Sequence, residues 1–195
     1  MEVIEKVIEN NFKNGNKKTQ IVLTHTSRNL FDFMTAIKLR FGGKPIKLPH
    51  YLIGKDGKIL QILDDDKNGK YLNTDKVNNK SIVICLENLG WLEKQPLKKY
   101  HINWIGTIYR EKVFDRKWRN YFFWDKYTDS QMRSLSQLCG LLCDKHNIPK
   151  KSVKTQGFFE NAIKFNGVVC KSNFSNIYTD INPSFNFRIL FNHAK

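Results

Sequence analysis

Gln20-Ile21-Val22-Leu23-Thr24-His25-Thr26 is an apolar run that ends in a polar turn. Its branched aliphatic residues predict a buried strand. The strand delivers a histidine to its end, a position where metalloenzymes often place a first zinc ligand. A second run, Ser81-Ile82-Val83-Ile84-Cys85-Leu86-Glu87-Asn88, is almost wholly apolar and predicts a central strand. Between them, Leu30, Phe33, Met34, Ile37 and Phe41 recur at helical spacing, predicting a helix over 29–40 that Gly42-Gly43 stops. Pro49-His50-Tyr51-Leu52-Ile53-Gly54-Lys55-Asp56-Gly57-Lys58-Ile59 reads as strand, turn, strand, with Lys55-Asp56-Gly57 as the hairpin turn.

The rest of the chain extends the same pattern. Residues 129–147 carry one apolar stripe of Leu135, Leu138, Cys139, Leu142, Cys143 and His146. Thr128 and Gln131 have the spacing of a capping box, and Pro149 follows the end. A further strand is expected near 166–170. Residues 2–12, with Val3, Ile4, Val7 and Ile8 on one side, predict a short amphipathic helix; 64–80 is charged and predicts a loop. The expected fold is α/β: one domain over 1–195, a central mixed β-sheet flanked by helices.

Composition narrows the function. The chain has 195 residues, 41% of them hydrophobic, enough to bury a core. No apolar run approaches the roughly 18 residues of a membrane span. The charged N-terminus lacks the apolar centre of a secretory signal. The chain as given is therefore expected to be cytoplasmic as synthesised, or released by another route such as lysis. The net charge of +15, with 33 Lys and Arg against 18 Asp and Glu, draws polyanions. Candidates are nucleic acid, nucleotides, anionic wall polymers and acidic membranes. Equally, a Lys- and Asn-rich composition can reflect an AT-rich genome. Four cysteines in a chain this long, with no export signal, do not make a disulfide framework. Cys139 and Cys143 share a helix face, where they could bind a metal or pack, and packing suits the stripe better.

Tyr178-Thr179-Asp180-Ile181-Asn182-Pro183 completes a series. Strand 19–25, the hairpin from His50, strand 81–88 and this loop, in this order, resemble the zinc-dependent N-acetylmuramoyl-L-alanine amidases and the peptidoglycan recognition proteins. The resemblance covers roughly 19–190. It implies zinc held by two histidines and an Asp, Cys or His, with a metal-bound water attacking the lactyl amide.

Several positions depart from that implication. The family's first ligand comes from a His-His-Thr signature, whose register here puts Thr24 at the ligand position and His25 at the second histidine. A shift of one residue would restore His25 as ligand but would flip the strand's alternation. Asp180 matches the third ligand. Stepping back from it at the family's spacing reaches Cys170-Lys171-Ser172, with no histidine. His25, Cys170 and Asp180 form the chemically reasonable metal set if a zinc site survives. Thr24, Cys170 and Asp180 form a poor one. The family's catalytic tyrosine falls at Pro49 and its glutamate at Cys85. Glu87, two residues on and facing the same side, is the candidate to substitute. Thr24, His25, Arg28, His50, Lys171 and Tyr178 are the expected ligand-binding residues, with Arg and Lys favouring an anion. His101, His146 and His193 read as structural or solvated.

One region, about 98–127, reads as an aromatic and basic insertion. Trp104, Tyr109, Trp118, Tyr121, Phe122, Phe123 and Trp124 alternate there with Arg110, Arg116, Lys117 and Arg119. Such rings could stack on sugars or bases, or could anchor the insertion to the body. Trp91 could floor a groove or join the core. The expected function is peptidoglycan-directed: binding muropeptide, or less favourably cleaving its amide. The alternative is a non-catalytic binder of another anion, such as a nucleotide signal captured by a phage protein against host defence. The expected cofactor is none, with zinc as the exception.

Overall fold

The computed structural model describes residues 3–5, 12–72 and 74–191. Its main sheet contains six strands among these: β1 (Val3–Glu5), β2 (Gln20–His25), β3 (Tyr51–Ile53), β4 (Ile59–Gln61), β5 (Ser81–Leu86) and one late strand, Gly167–Cys170. The order is β1-β4-β3-β5-β2 and then the late strand. Pairing is parallel except for the β3–β4 hairpin, so the sheet is mixed. The expected α/β fold, one domain around a central mixed sheet, is the fold found.

The strand sequences explain their places. Each residue of β2 and β5 is buried, as parallel central strands covered on both faces require. Odd residues of β2 (Ile21, Leu23) and even residues of β5 (Ile82, Ile84, Leu86) face one cluster; Val22 and Val83 face another. On the first face lies a long helix, Asp129–His146. Its Leu135, Leu138, Cys139, Leu142 and Cys143 form the buried stripe, and truncating one such leucine would cost about 2–5 kcal/mol. The Thr128 hydroxyl accepts from Gln131 N–H, and Gln131 reaches back to Thr128 N–H, the expected capping box. Gln131 also donates to the carbonyls of Ile53 and Glu87, which fixes the helix start over the carboxyl ends of β3 and β5. The opposite face is covered by α1 (Leu30–Leu39), whose Phe33 and Ile37 pack on Leu52 and Cys85. It is also covered by a short α2 (Asp75–Asn78), with Leu72 and Val77 against Val22 and Val83. The long helix is α3.

Two expectations need correction. Val3–Glu5 is not helical: it is an edge strand, β1, paired in parallel with β4. A segment of alternating apolar and charged residues satisfies strand and helix periods alike over so few positions. Val7 and Ile8 lie outside the described residues. The stretch 64–80 is not loop throughout, because Asp75–Asn78 forms α2.

The aromatic region builds a second, antiparallel sheet. Its strands are β6 (Trp91–Lys94), β7 (His101–Asn103), β8 (Ile108–Tyr109), β9 (Phe114–Trp118) and β10 (Tyr121–Trp124), ordered β8-β7-β6-β10-β9. The late strand of the main sheet is β11. Trp91 stacks on Tyr121 with ring centres 4.4 Å apart, and Trp118 tilts against the fully buried Trp124 at 5.4 Å. Trp91 is thus part of this sheet's own packing. Asp125 anchors the sheet to the body: its carboxylate accepts from Leu89 N–H at 2.7 Å and from Lys55 Nζ at 2.5 Å. All four cysteines are free and buried.

Candidate functional site

β2 and β11 run parallel, so their carboxyl ends emerge side by side, Cys170 opposite Leu23. The 3-10 turn Lys171–Asn173 follows at once, and the chain returns with Asp180 against the end of β2. Asp180 Oδ1 accepts from the Thr24 hydroxyl at 2.7 Å and from His25 N–H at 3.2 Å. Its Oδ2 lies 3.7 Å from Lys171 Nζ, and the same ammonium sits 4.7 Å from the centre of the Tyr178 ring. The structure therefore gathers Thr24, His25, Cys170, Lys171, Tyr178 and Asp180 into one place.

The electrostatics follow from burial and from that cation. Burial alone would raise the Asp180 pKa. Its neighbours His25 and Lys171, with the two hydrogen bonds, outweigh it and bring it to about 2. Burial lowers the pKa of His25 despite Asp180, so the ring is neutral at pH 7. Its Nδ1 is 3.4 Å from the Tyr127 hydroxyl, and its Nε2 is 3.7 Å from Asp180 Oδ1. Burial pushes the Cys170 and Cys85 thiols far up, which keeps both protonated. The Tyr71 hydroxyl, 3.8 Å from Cys85 Sγ, is pushed up as well.

The zinc that the resemblance implies needs a convergent set of deprotonated or neutral donors. The donors here do not fit it. At the first position a threonine spends its proton on Asp180. At the second a thiol is held protonated, and Lys171 beside it brings a positive charge to the third. Among the described residues, no three His, Cys, Asp or Glu side chains converge on a point where an ion could be held. The set His25, Cys170 and Asp180 is brought near but not assembled as ligands.

Other expected residues are placed elsewhere. His50 is buried at the start of β3: its Nδ1 accepts from Val83 N–H at 3.0 Å and its Nε2 donates to Lys67 carbonyl at 3.0 Å. Both ring nitrogens are committed to the backbone, so the structure does not bring His50 to the site. Glu87 is likewise committed. Its two oxygens accept from Leu30 N–H at 3.1 Å and Lys55 N–H at 2.9 Å, tying the start of α1 to the hairpin. Face alternation suggested a catalytic glutamate there, but β5 ends at Leu86 and Glu87 lies beyond the pleat. Arg28 is half-buried in the turn after β2, where its carbonyl accepts from the Thr26 hydroxyl. His146 pairs with the buried Asp65 at 3.1 Å, His101 lies in β7, and His193 lies outside the described residues.

Sequence reasoning missed Tyr127 and Tyr71, which line the site from the α3 and α1 sides. It also missed the role of Lys171 beside Asp180; the signal was a lysine next to the position vacated by a histidine ligand. Lys171 and Tyr178 also form the wall of a cavity of about 240 Å³, with Leu72, Val77 and Phe174. The rim is held by Arg119 of the second sheet, which donates to the carbonyls of Asn176 and Ser175.

Comparison with known proteins agrees with this architecture. The profile of the N-acetylmuramoyl-L-alanine amidase family matches residues 14–164. No curated protein sequence matches the chain. Among solved structures, the endolysin N-acetylmuramoyl-L-alanine amidase LysCS from Clostridium intestinale is similar with a TM-score of 0.59 and 16% identity, over 97% of this chain and 92% of that one. AmiD from E. coli, in complex with anhydro-N-acetylmuramic acid-L-Ala-D-γ-Glu-L-Lys, gives 0.58 at 14% identity, over 94% of this chain and 59% of AmiD. The complex of tracheal cytotoxin with the peptidoglycan recognition proteins LCa and LCx gives 0.57 at 11% identity, over 95% and 92%. At such identities the likeness is one of fold.

Proposed function

The chain belongs to the N-acetylmuramoyl-L-alanine amidase family, and from that premise we propose that it binds muropeptide without cleaving it. The observation that carries this reading is the Asp180 carboxylate, already satisfied by Thr24, His25 N–H and the Lys171 ammonium. An internal cation lies beside the carboxylate that matches the family's third metal ligand, and no residue of the site supplies an activated water. What remains is a recognition surface. The Lys171 ammonium offers a partner for a peptide carboxylate, and Leu72, Val77 and Phe174 offer an apolar wall for its methyl groups. The complexes of AmiD and of the recognition proteins with muropeptide-type ligands support the ligand class. The nucleotide alternative gains no support from these comparisons.

Calorimetry with anhydro-N-acetylmuramic acid-L-Ala-D-γ-Glu-L-Lys tests the proposal. The ligand should bind equally with zinc or with chelator and should be recovered intact by mass spectrometry. Lys171→Ala should weaken binding about tenfold, the loss expected for one charge-assisted contact. Zinc-dependent release of the peptide would overturn the proposal.

A further inference from the structure

A second concave surface lies away from this site. Ser152 bridges Val168 in parallel, with Val153 N–H donating to Val168 carbonyl and Val168 N–H to Lys151 carbonyl. The 151–153 segment therefore runs along the outer edge of β11 near its start. Thr24 and His25 emerge at the opposite end of the neighbouring β2. Arg116 from β9 and Arg188 from the last 3-10 turn, Phe187–Ile189, close the groove. Its volume is about 910 Å³.

The lining is one-sided in charge. Arg116, Lys150, Lys151, Lys154 and Arg188 contribute cations, and among the described residues no carboxylate lines it. Lys150 is paired with Asp144 at 2.8 Å, and the Lys151 ammonium sits 5.2 Å from the Phe165 ring centre. Arg116, Lys154 and Arg188 are exposed and form no ion pair among the described residues. Unpaired cations that share one groove repel one another and are relieved by a multivalent anion.

We propose that this groove binds a linear phosphodiester chain of the polyol-phosphate type carried by cell walls. Several separate cations along an open groove suit a ligand with repeated phosphates rather than one compact anion. The groove's aromatic residues argue against bases. Phe187 and Phe191 pack against the main core, and Phe187 meets Phe185 edge to face at 4.8 Å. Nucleic-acid binding of this kind needs free ring faces for stacking. The lysines act as point charges for phosphate, with Arg116 and Arg188 adding forked contacts. The choice of a wall polymer as source rests on the peptidoglycan reading; the charge of the groove does not.

Fluorescence anisotropy with a labelled poly(glycerol phosphate) oligomer, at several salt concentrations, is the test. The oligomer should bind with a log–log salt slope of about −2, as for about three engaged phosphates. Arg116→Ala/Lys154→Ala/Arg188→Ala should weaken it at least about tenfold and flatten the slope. A control with the same charge change at exposed positions outside the groove, Lys44→Ala/Lys47→Ala/Lys98→Ala, should stay close to the parent. Equal losses in both variants, or none in the first, would overturn the groove. A single-stranded DNA oligomer of equal charge binding more tightly would overturn the wall-polymer source. Muropeptide calorimetry on the same proteins separates the two ideas. If muropeptide fails to bind while the groove variant still loses the polymer, the peptidoglycan reading falls and the groove stands.

Discussion

Lys171 holds its ammonium 3.7 Å from the carboxylate of Asp180, at the junction of β2 and β11. The ammonium is about a quarter exposed and the carboxylate nearly enclosed (23% and 11%), so the pair is only weakly screened. Removing the cation leaves an enclosed carboxylate with two hydrogen bonds and no counter-charge. Lys171→Ala should therefore destabilise the fold by about 1–2 kcal/mol, with Lys171→Arg recovering part of it. Urea denaturation at pH 7 measures this, and an unchanged midpoint for Lys171→Ala would refute it.

The donor set predicts indifference to metal. Neither excess zinc nor chelator should move the thermal midpoint by more than about 1 °C, because a ligand that binds the native state tightly would raise it. A zinc-dependent rise abolished by Asp180→Ala would show that the three donors rearrange around an ion after all.

His50 sets an acid limit. Burial first, then the Lys18 charge, lower its pKa to about 4, against hydrogen bonding to Lys67 that works to raise it. The unfolded chain takes up that proton near pH 6.5, the folded chain only near pH 4. Stability is thus present above pH 6.5 and is lost as pH falls toward 4, by about 3 kcal/mol from this group. Denaturation free energies measured from pH 7 to pH 4.5 should fall, and the His50 ring signals should titrate well below those of an exposed histidine. A His50 titration near 6.5 would contradict the burial argument.

Gly90, the residue before β6, packs against the His25 ring. Its φ is +79°, and a Cβ there would stand 3.1 Å from His25 Nε2. Gly90→Ala should cost about 1–3 kcal/mol through the left-handed backbone and should displace the His25 ring. Thermal melts report the first effect; a changed His25 chemical shift reports the second. A variant as stable as the parent would mean that the turn relaxes freely.

Much of the fold could be read from local chemistry. β2 and β5 announce themselves because double-sided burial demands unbroken apolar runs, and α3 does so because cap and stripe agree. The second sheet was not foreseen, and its region was read only as an insertion. Asp115, Arg116 and Lys117 of β9 are exposed, and its aromatic residues pack only in part, so the strand lacks clean alternation. At the site, Asp180 and Thr24 were legible because their partners were anticipated by a resemblance. Lys171 was expected at the ligand rim, but its pairing with Asp180 was not, since that depends on a long side chain folding back, which spacing along the chain does not encode. His50 and Glu87 misled because polarity near a strand end looks the same whether it serves a ligand or the backbone.

The four buried thiols carry a further consequence. Cys85, Cys139, Cys143 and Cys170 are unpaired, closed off from solvent, and in the case of Cys85, Cys139 and Cys170 held strongly in the thiol form. Nothing in the native architecture waits for an oxidant to be completed, and no reactive thiolate is offered for one to damage. A molecule built this way should keep one shape in reducing and in oxidising surroundings alike.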